Sequence, residues 1–184
     1  MPADCVGKPG FAQCSHAHLV SSIAHLQAVN ERRAAADGAG DMHGLGHLVE
    51  VGPGSTVYLP VFVPGGHLFL GDAHAAMGHG ELSATGLEMA ALTTITVDVV
   101  RGSRLTGIRV ETPESIMTVA THGTLERAIA EAYARLILWM EADWNWNRWK
   151  AYDLLTHVGR ISIGYYSSGT AGTMIEKRYL TGAG

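Results

Sequence analysis

Between Gly71 and Glu81 the chain reads GDAHAAMGHGE, two carboxylates and two imidazoles on a backbone loosened by three glycines. Asp72 and His74 are one residue apart, so on an extended strand both side chains leave the same face and can converge on one ion. Gly78 and Gly80 loosen the turn that follows and let Glu81 fold back toward that face. An imidazole with one or two carboxylates suits Zn first, with Mn or Fe as alternatives, and leaves a position for water. A bound ion of this kind lowers the pKa of its water to about 7 and polarises a carbonyl, as cleavage of an unactivated amide requires. The acid not used as a ligand would be general base and then proton donor to the leaving amine, and Glu81 takes that role. An acid and a histidine beside a glycine turn also serve as turn caps, and the pattern alone balances the two readings.

The remaining candidates carry less. His79, between two glycines, reads as solvated loop before it reads as a ligand, and His67 as an interior histidine that is hydrogen-bonded. Glu88 lies inside the apolar run ATGLEMAAL and must be paired or edge-exposed, with structural and catalytic roles equally open. His122 precedes a helix start, and His43 and His47 precede the strand region, so these three join His79 as possible additional site residues. His16, His18 and His25 have no acid or cysteine beside them and read as surface. Trp139, Trp144, Trp146 and Trp149 all fall in WMEADWNWNRW, where packing of a corner between helices is the favoured reading. Ser83 and Thr85 lack a GxSxG context, Cys5 and Cys14 lack a base, and no glycine-rich stretch has phosphate-loop spacing.

The elements that must position these groups follow from periodicity. Leu19, Ile23, Leu26 and Val29 predict a short amphipathic helix over about 17–34, followed by a loop to about 45. Val57, Leu59, Val61 and Val63 alternate as a strand, and Pro60 and Pro64 put it at an edge or bulge. His67 to Leu70 extends it into Gly71. The runs ALTTITVDVVRG and LTGIRVET, rich in β-branched residues, predict a hairpin or meander. Leu125, Ala128, Ile129, Ala132, Tyr133, Leu136 and Ile137 predict a long amphipathic helix over 124–141 with Thr124 as its N-cap. A second helix over about 149–157 stops at Gly159, and strands follow at 160–166 and 174–179. The fold class is α+β: β-sandwich-like strands, then an α+β C-terminal portion with one long amphipathic helix. Residues 1–45 form an atypical N-terminal segment and 46–184 the domain proper.

Bulk properties fit this organisation. With 184 residues, 47% of them hydrophobic and 16% charged, the chain can form a real core without staples. A net charge of -4 and the lack of a basic run argue against nucleic acid or an anionic membrane as partner. No apolar stretch approaches a membrane span, the N-terminus lacks the pattern of a signal peptide, and two cysteines form no disulfide framework. The expected location is the cytoplasm.

The string VYLPVFVPGGHLFLGDAHAAMGHGE, followed by ATGLE, resembles the central signature of the acetamidase/formamidase family, in which an LPV strand leads to GDxHAxxGxGE and then to TGxE or TAxE. The likeness continues through ETPE, THGTLERAIAEAYARLILWME and KAYDLLTHVGRISIGYY, covering about 54–180. It implies hydrolysis of short aliphatic amides such as formamide or acetamide, a divalent metal, a β-sandwich-like portion joined to an α+β portion, a cytosolic location and a homo-oligomer. Asp72, His74, Glu81 and Glu88 match the family's charged positions, with Asp72 and His74 as metal ligands and Glu81 and Glu88 as catalytic groups. Met77 and His79 stand where relatives usually have a glutamine and an acid, which alters the polarity of the turn. Residues 1–45 do not read like the β-rich N-terminal region of relatives. The alternative to an enzyme is therefore a subunit or remnant that needs a complementary N-terminal chain, and a third reading is a module that binds a small amide without turnover.

Overall fold

The structure, a computed structural model, describes residues 27–29, 47–61, 67–103 and 105–182. Among the described residues it is α+β: a five-stranded antiparallel sheet and two α-helices, with a separate pair of short strands. In chain order the strands are β1 (Gln27–Val29), β2 (Thr56–Tyr58), β3 (His67–Phe69), β4 (Ile108–Glu111), β5 (Ser115–Thr121), β6 (Arg160–Ile163) and β7 (Thr170–Glu176). The large sheet runs β2-β4-β5-β7-β6, and β1 pairs with β3 alone.

The long helix α1 spans Leu125–Trp144, and the Thr124 side chain accepts from the Arg127 N–H as the expected N-cap. It ends on Asn145 in the left-handed conformation, whose N–H reaches Met140 O. Ala128, Ala132, Leu136, Trp139 and Met140 form its buried stripe, at the spacing that one helix face dictates. Helix α2 spans Arg148–Val158, and the Asn147 side chain accepts from the N–H groups of Trp149 and Lys150.

Strand β5 is the centre of the molecule, buried along its whole length. Its helix-facing side carries Ile116, which clusters with Leu136, Trp139, Met140, Ala151, Leu155 and Ile175. The opposite side carries Met117 and Val119, clustered with Leu48, Val51, Ile108, Val110 and Met174. A strand covered on both faces loses the alternation that marks half-buried strands. For that reason periodicity does not mark β5, whereas it does mark 91–100.

Several expectations change. Residues 91–100 pair in no ladder among the described residues and are exposed throughout, so the expected meander reduces to β4 and its antiparallel partner β5. Rich β-branching gives a segment the propensity to pair without supplying a neighbour to pair with. Residues 27–29, within the expected helix over 17–34, pair as a strand with 67–69. The rest of that helix, together with His16, His18, His25, His43 and both cysteines, lies outside the described residues, as does the side chain of His67. The expected extension of β2 into 67–70 is replaced by two strands in different sheets. β2 does lie at an edge, as expected, with Pro60 just beyond its last residue and Pro64 outside the described residues. The last strand is Thr170–Glu176, and its expected end to Tyr179 is a 3-10 turn over Lys177–Gly182.

Trp139 is buried, meets Trp144 and Tyr58 edge-on, and donates Nε1–H to Asp143, while Trp146 donates to Leu180 O. Trp149 departs from the corner-packing expectation, standing 73% exposed on α2.

Candidate functional site

The segment 73–76 folds against 87–89 as a miniature hairpin. Ala75 N–H donates to Leu87 O at 2.7 Å, Leu87 N–H to Ala76 O at 2.9 Å, and Met89 N–H to Ala73 O at 3.1 Å. This register puts His74 directly opposite Glu88 as an antiparallel bridge. Side chains directly opposite in such a pair share a face and touch, and His74 Nε2 lies 2.8 Å from Glu88 Oε1. Thr85 Oγ1 donates to the same carboxylate oxygen at 2.9 Å. Gly86 makes the approach possible, because a Cβ there would lie 2.6 Å from His74 Cγ. The glycine between Thr85 and Leu87 is thus the floor on which the His74 ring rests.

Three further groups close around that ring. Asp72 Oδ1 lies 3.4 Å and Glu81 Oε1 4.0 Å from His74 Nε2. His47 Nδ1 lies 2.7 Å from Glu81 Oε2 and 3.7 Å from Asp72 Oδ2. The His47 ring stacks on His74 at 6.0 Å between centroids and meets Tyr165 at 5.4 Å. His47 is fixed from behind, because the neighbouring Leu48 and Val51 are fully buried in the core against β4 and β5. Glu81 is held by Gly80, whose N–H donates to Ile163 O at 2.7 Å and whose carbonyl accepts from Tyr166 N–H. The loop is thereby stitched to the end of β6.

Asp72 and His74 converge as expected, though not from a regular strand. Asp72 has φ 64°, Glu81 φ 43° and His47 φ 62°. Non-glycine residues in the left-handed region carry backbone strain, and such residues gather where surrounding structure over-determines a functional geometry. Three of the five members of this cluster are in that state.

The donor atoms form two overlapping groups: His47, His74 and Glu81, and Asp72, His74 and Glu88, each with its ligand-type atoms within 4.8 Å of one another. In the first, His74 and Glu81 are buried and His47 is partly so; in the second, Asp72 and Glu88 open to solvent. Three carboxylates thus surround two imidazoles, and Glu81 is buried almost completely. Removing a carboxylate from water costs several kcal/mol unless a cation offsets it. The set calls for positive charge, as a protonated imidazole or as a metal ion, and its histidine and carboxylate atoms fit the borderline divalent ions.

Not every candidate joins. His79 turns instead to Ser162, with Nδ1 3.2 Å from its Oγ. His122 pairs with Glu131 of α1, which also pairs with Arg135, so it belongs to a helix-surface ion-pair group. Nothing in the sequence singles out Tyr165, Glu50 or Ser162. They reach the site loop across many residues of chain, and no local spacing marks them.

The model of the Acetamidase/Formamidase family matches residues 11–162. The chain belongs to that family. It is similar to the crystal structure of an acetamidase from Yersinia enterocolitica, with 41% identity, a TM-score of 0.72 and coverage of 76% of this chain and 43% of that one. A crystal structure of an acetamidase from Bacillus halodurans gives 31% identity, a TM-score of 0.71 and coverage of 79% and 50%. A Schizosaccharomyces pombe protein named as a formamidase is 47% identical over 49 residues, 26% of this chain and 12% of that one. The chain therefore spans half or less of the length of these relatives.

Proposed function

We propose that this chain carries the metal-dependent centre of an enzyme that hydrolyses short aliphatic amides, of the formamide or acetamide type, to the carboxylic acid and ammonia. The observation that carries the reading is the convergence of His47, Asp72, His74, Glu81 and Glu88 on one another in a member of an amidase family. Asp72 and His74 would hold the ion, with Glu88 beside His74 as a third ligand; Zn is the first choice and Mn or Fe the alternatives. A bound divalent ion would supply Lewis acidity and a water ionised near pH 7.

The chain's own residues supply the rest. Glu81 accepts the proton of the attacking water and returns it to the leaving amine. His47, 2.7 Å from the Glu81 carboxylate, orients it. The near-complete burial of Glu81 removes competing water, and the exposure of Asp72 and Glu88 leaves a path for a small amide. In ammonia-release assays Glu81→Gln lowers kcat by about 10²- to 10⁴-fold, the usual worth of a general acid–base, while Asp72→Asn lowers metal content. Ammonia release by both variants at the unaltered rate would overturn the proposal.

A second reading concerns assembly, as a homo-oligomer or with a complementary chain. Leu92, Val97, Val99 and Val100 are 92%, 61%, 69% and 71% exposed in a segment of strand-forming sequence. Such an exposed segment can pair with a partner strand, and the relatives extend well beyond the part that this chain covers. Light scattering on the purified protein separates the cases: the second reading expects a mass above that of one chain or activity only on adding a partner, and an active monomer contradicts it.

A further inference from the structure

Behind the site loop, Glu50, Ser162 and His79 form a line that the amide-hydrolysis chemistry above does not use. Ser162 lies on β6 with no solvent exposure. Its Oγ is 2.8 Å from Glu50 Oε2 and 3.2 Å from His79 Nδ1. A hydroxyl has one proton and two lone pairs, and an ionised carboxylate only accepts. The Ser162 proton is therefore committed to Glu50, and Oγ offers His79 nothing but a lone pair. The bond to His79 then requires the proton on Nδ1. A neutral imidazole carries one proton, so Nε2 keeps its lone pair, the reverse of the tautomer that free imidazole side chains favour in water.

His79 sits on the same loop as Glu81, separated from it by Gly80, and its side chain is exposed. We infer that Glu50 and Ser162 are positioning residues that lock His79 as the Nδ1–H tautomer, so that Nε2, on an exposed side chain two residues from Glu81, is an acceptor for the N–H of a primary amide. The substrate half of this inference rests on the amide-hydrolase reading; the tautomer half does not. A primary amide presents two N–H donors, and such an acceptor complements one of them. The lock also explains how a histidine between two glycines, with little backbone restraint of its own, comes to be held in one orientation.

The experiment is long-range proton–nitrogen NMR on the nitrogen-labelled full chain, at a pH where the imidazole is neutral, with the His79 signals assigned through His79→Gln. The expected result is a protonated Nδ1 and a bare Nε2. In Ser162→Ala the anchor is lost and the Nε2–H form gains population. Glu50→Gln keeps the shape and guards against a folding failure of the first variant: its amide NH₂ can donate to Oγ, which frees the hydroxyl proton for Nδ1 and releases the lock. An Nε2–H tautomer in the unaltered protein, or one that neither variant moves, overturns the inference. In acetamide kinetics Glu50→Gln raises KM about three- to tenfold, the worth of one neutral hydrogen bond, with kcat retained. A fall in kcat at unchanged KM overturns the role toward substrate. A locked tautomer in a protein inactive on every amide counts against amide hydrolysis and leaves the lock standing.

Discussion

At the scale of single residues, the site depends on a glycine that has no chemistry of its own. Gly86 leaves the space into which the His74 ring fits, since a Cβ would come within 2.6 Å of its Cγ and 2.7 Å of Nδ1. His74 is fully buried with its Nε2 toward Glu88, so it has little room to retreat. Gly86→Ala is expected to cost about 1–3 kcal/mol of stability through overpacking and to turn the ring off its partners. Denaturant unfolding with a parallel ammonia-release assay checks both, and an alanine variant of unaltered stability and activity would contradict the packing account. Asp72, His74, Glu81 and Glu88 were legible in the sequence because they lie close together with glycines among them. Their pairing was only half legible. That Glu88 must have a partner follows from its apolar surroundings, but the register that makes the partner His74 is set by a turn whose geometry no residue pattern states. His47 entered as one candidate among several, and its contact with Glu81 depends on the core packing of Leu48 and Val51.

At the scale of elements, α1 was the most legible part of the chain. Its period, its cap and its buried stripe agree, and the structure extends it only from the expected end near 141 to Trp144. The stripe locks it to β5 and β7: Leu136 has no solvent exposure and clusters with Ile116 and Ile175, and Thr118 Oγ1 donates to Ala132 O at 2.6 Å. Leu136→Ala should cost about 2–5 kcal/mol by the transfer and cavity terms of a buried leucine, read as a lower denaturation midpoint at an unchanged slope. A loss under about 0.5 kcal/mol, the size of a surface change, would contradict its place in the core. The strands were less legible for opposite reasons. β5 is buried on both faces and shows no alternation, whereas 91–100 alternates well, with Ile95, Val97 and Val99 against Thr94, Thr96 and Asp98, yet has no ladder. Pairing is a property of two segments, and one segment's composition cannot declare it.

At the scale of the whole molecule, the exposed run 91–100 and the stitched site loop belong to one account. β6 and the turn after it hold the loop from one side, through Gly80, Ile163 and Tyr166, while the β-branched run is exposed and in no ladder among the described residues. Val97→Lys puts a charge in the middle of that run, the usual device against strand addition. It should change stability by no more than about 0.5 kcal/mol, as for a surface position, and reduce self-association or partner binding in light scattering. A large loss of stability would show that Val97 is packed rather than exposed. Among the described residues no helix is long and apolar enough to cross a membrane. The alternative of a site built for ion pairs alone makes a different forecast from a metal centre, since histidine–carboxylate pairs are indifferent to chelation. The most direct test is ammonia release from formamide and acetamide by the protein before chelation, after it, and after Zn, Mn or Fe is restored. The account predicts activity that chelation abolishes and a divalent ion returns; hydrolysis at an undiminished rate in the metal-stripped protein would contradict it.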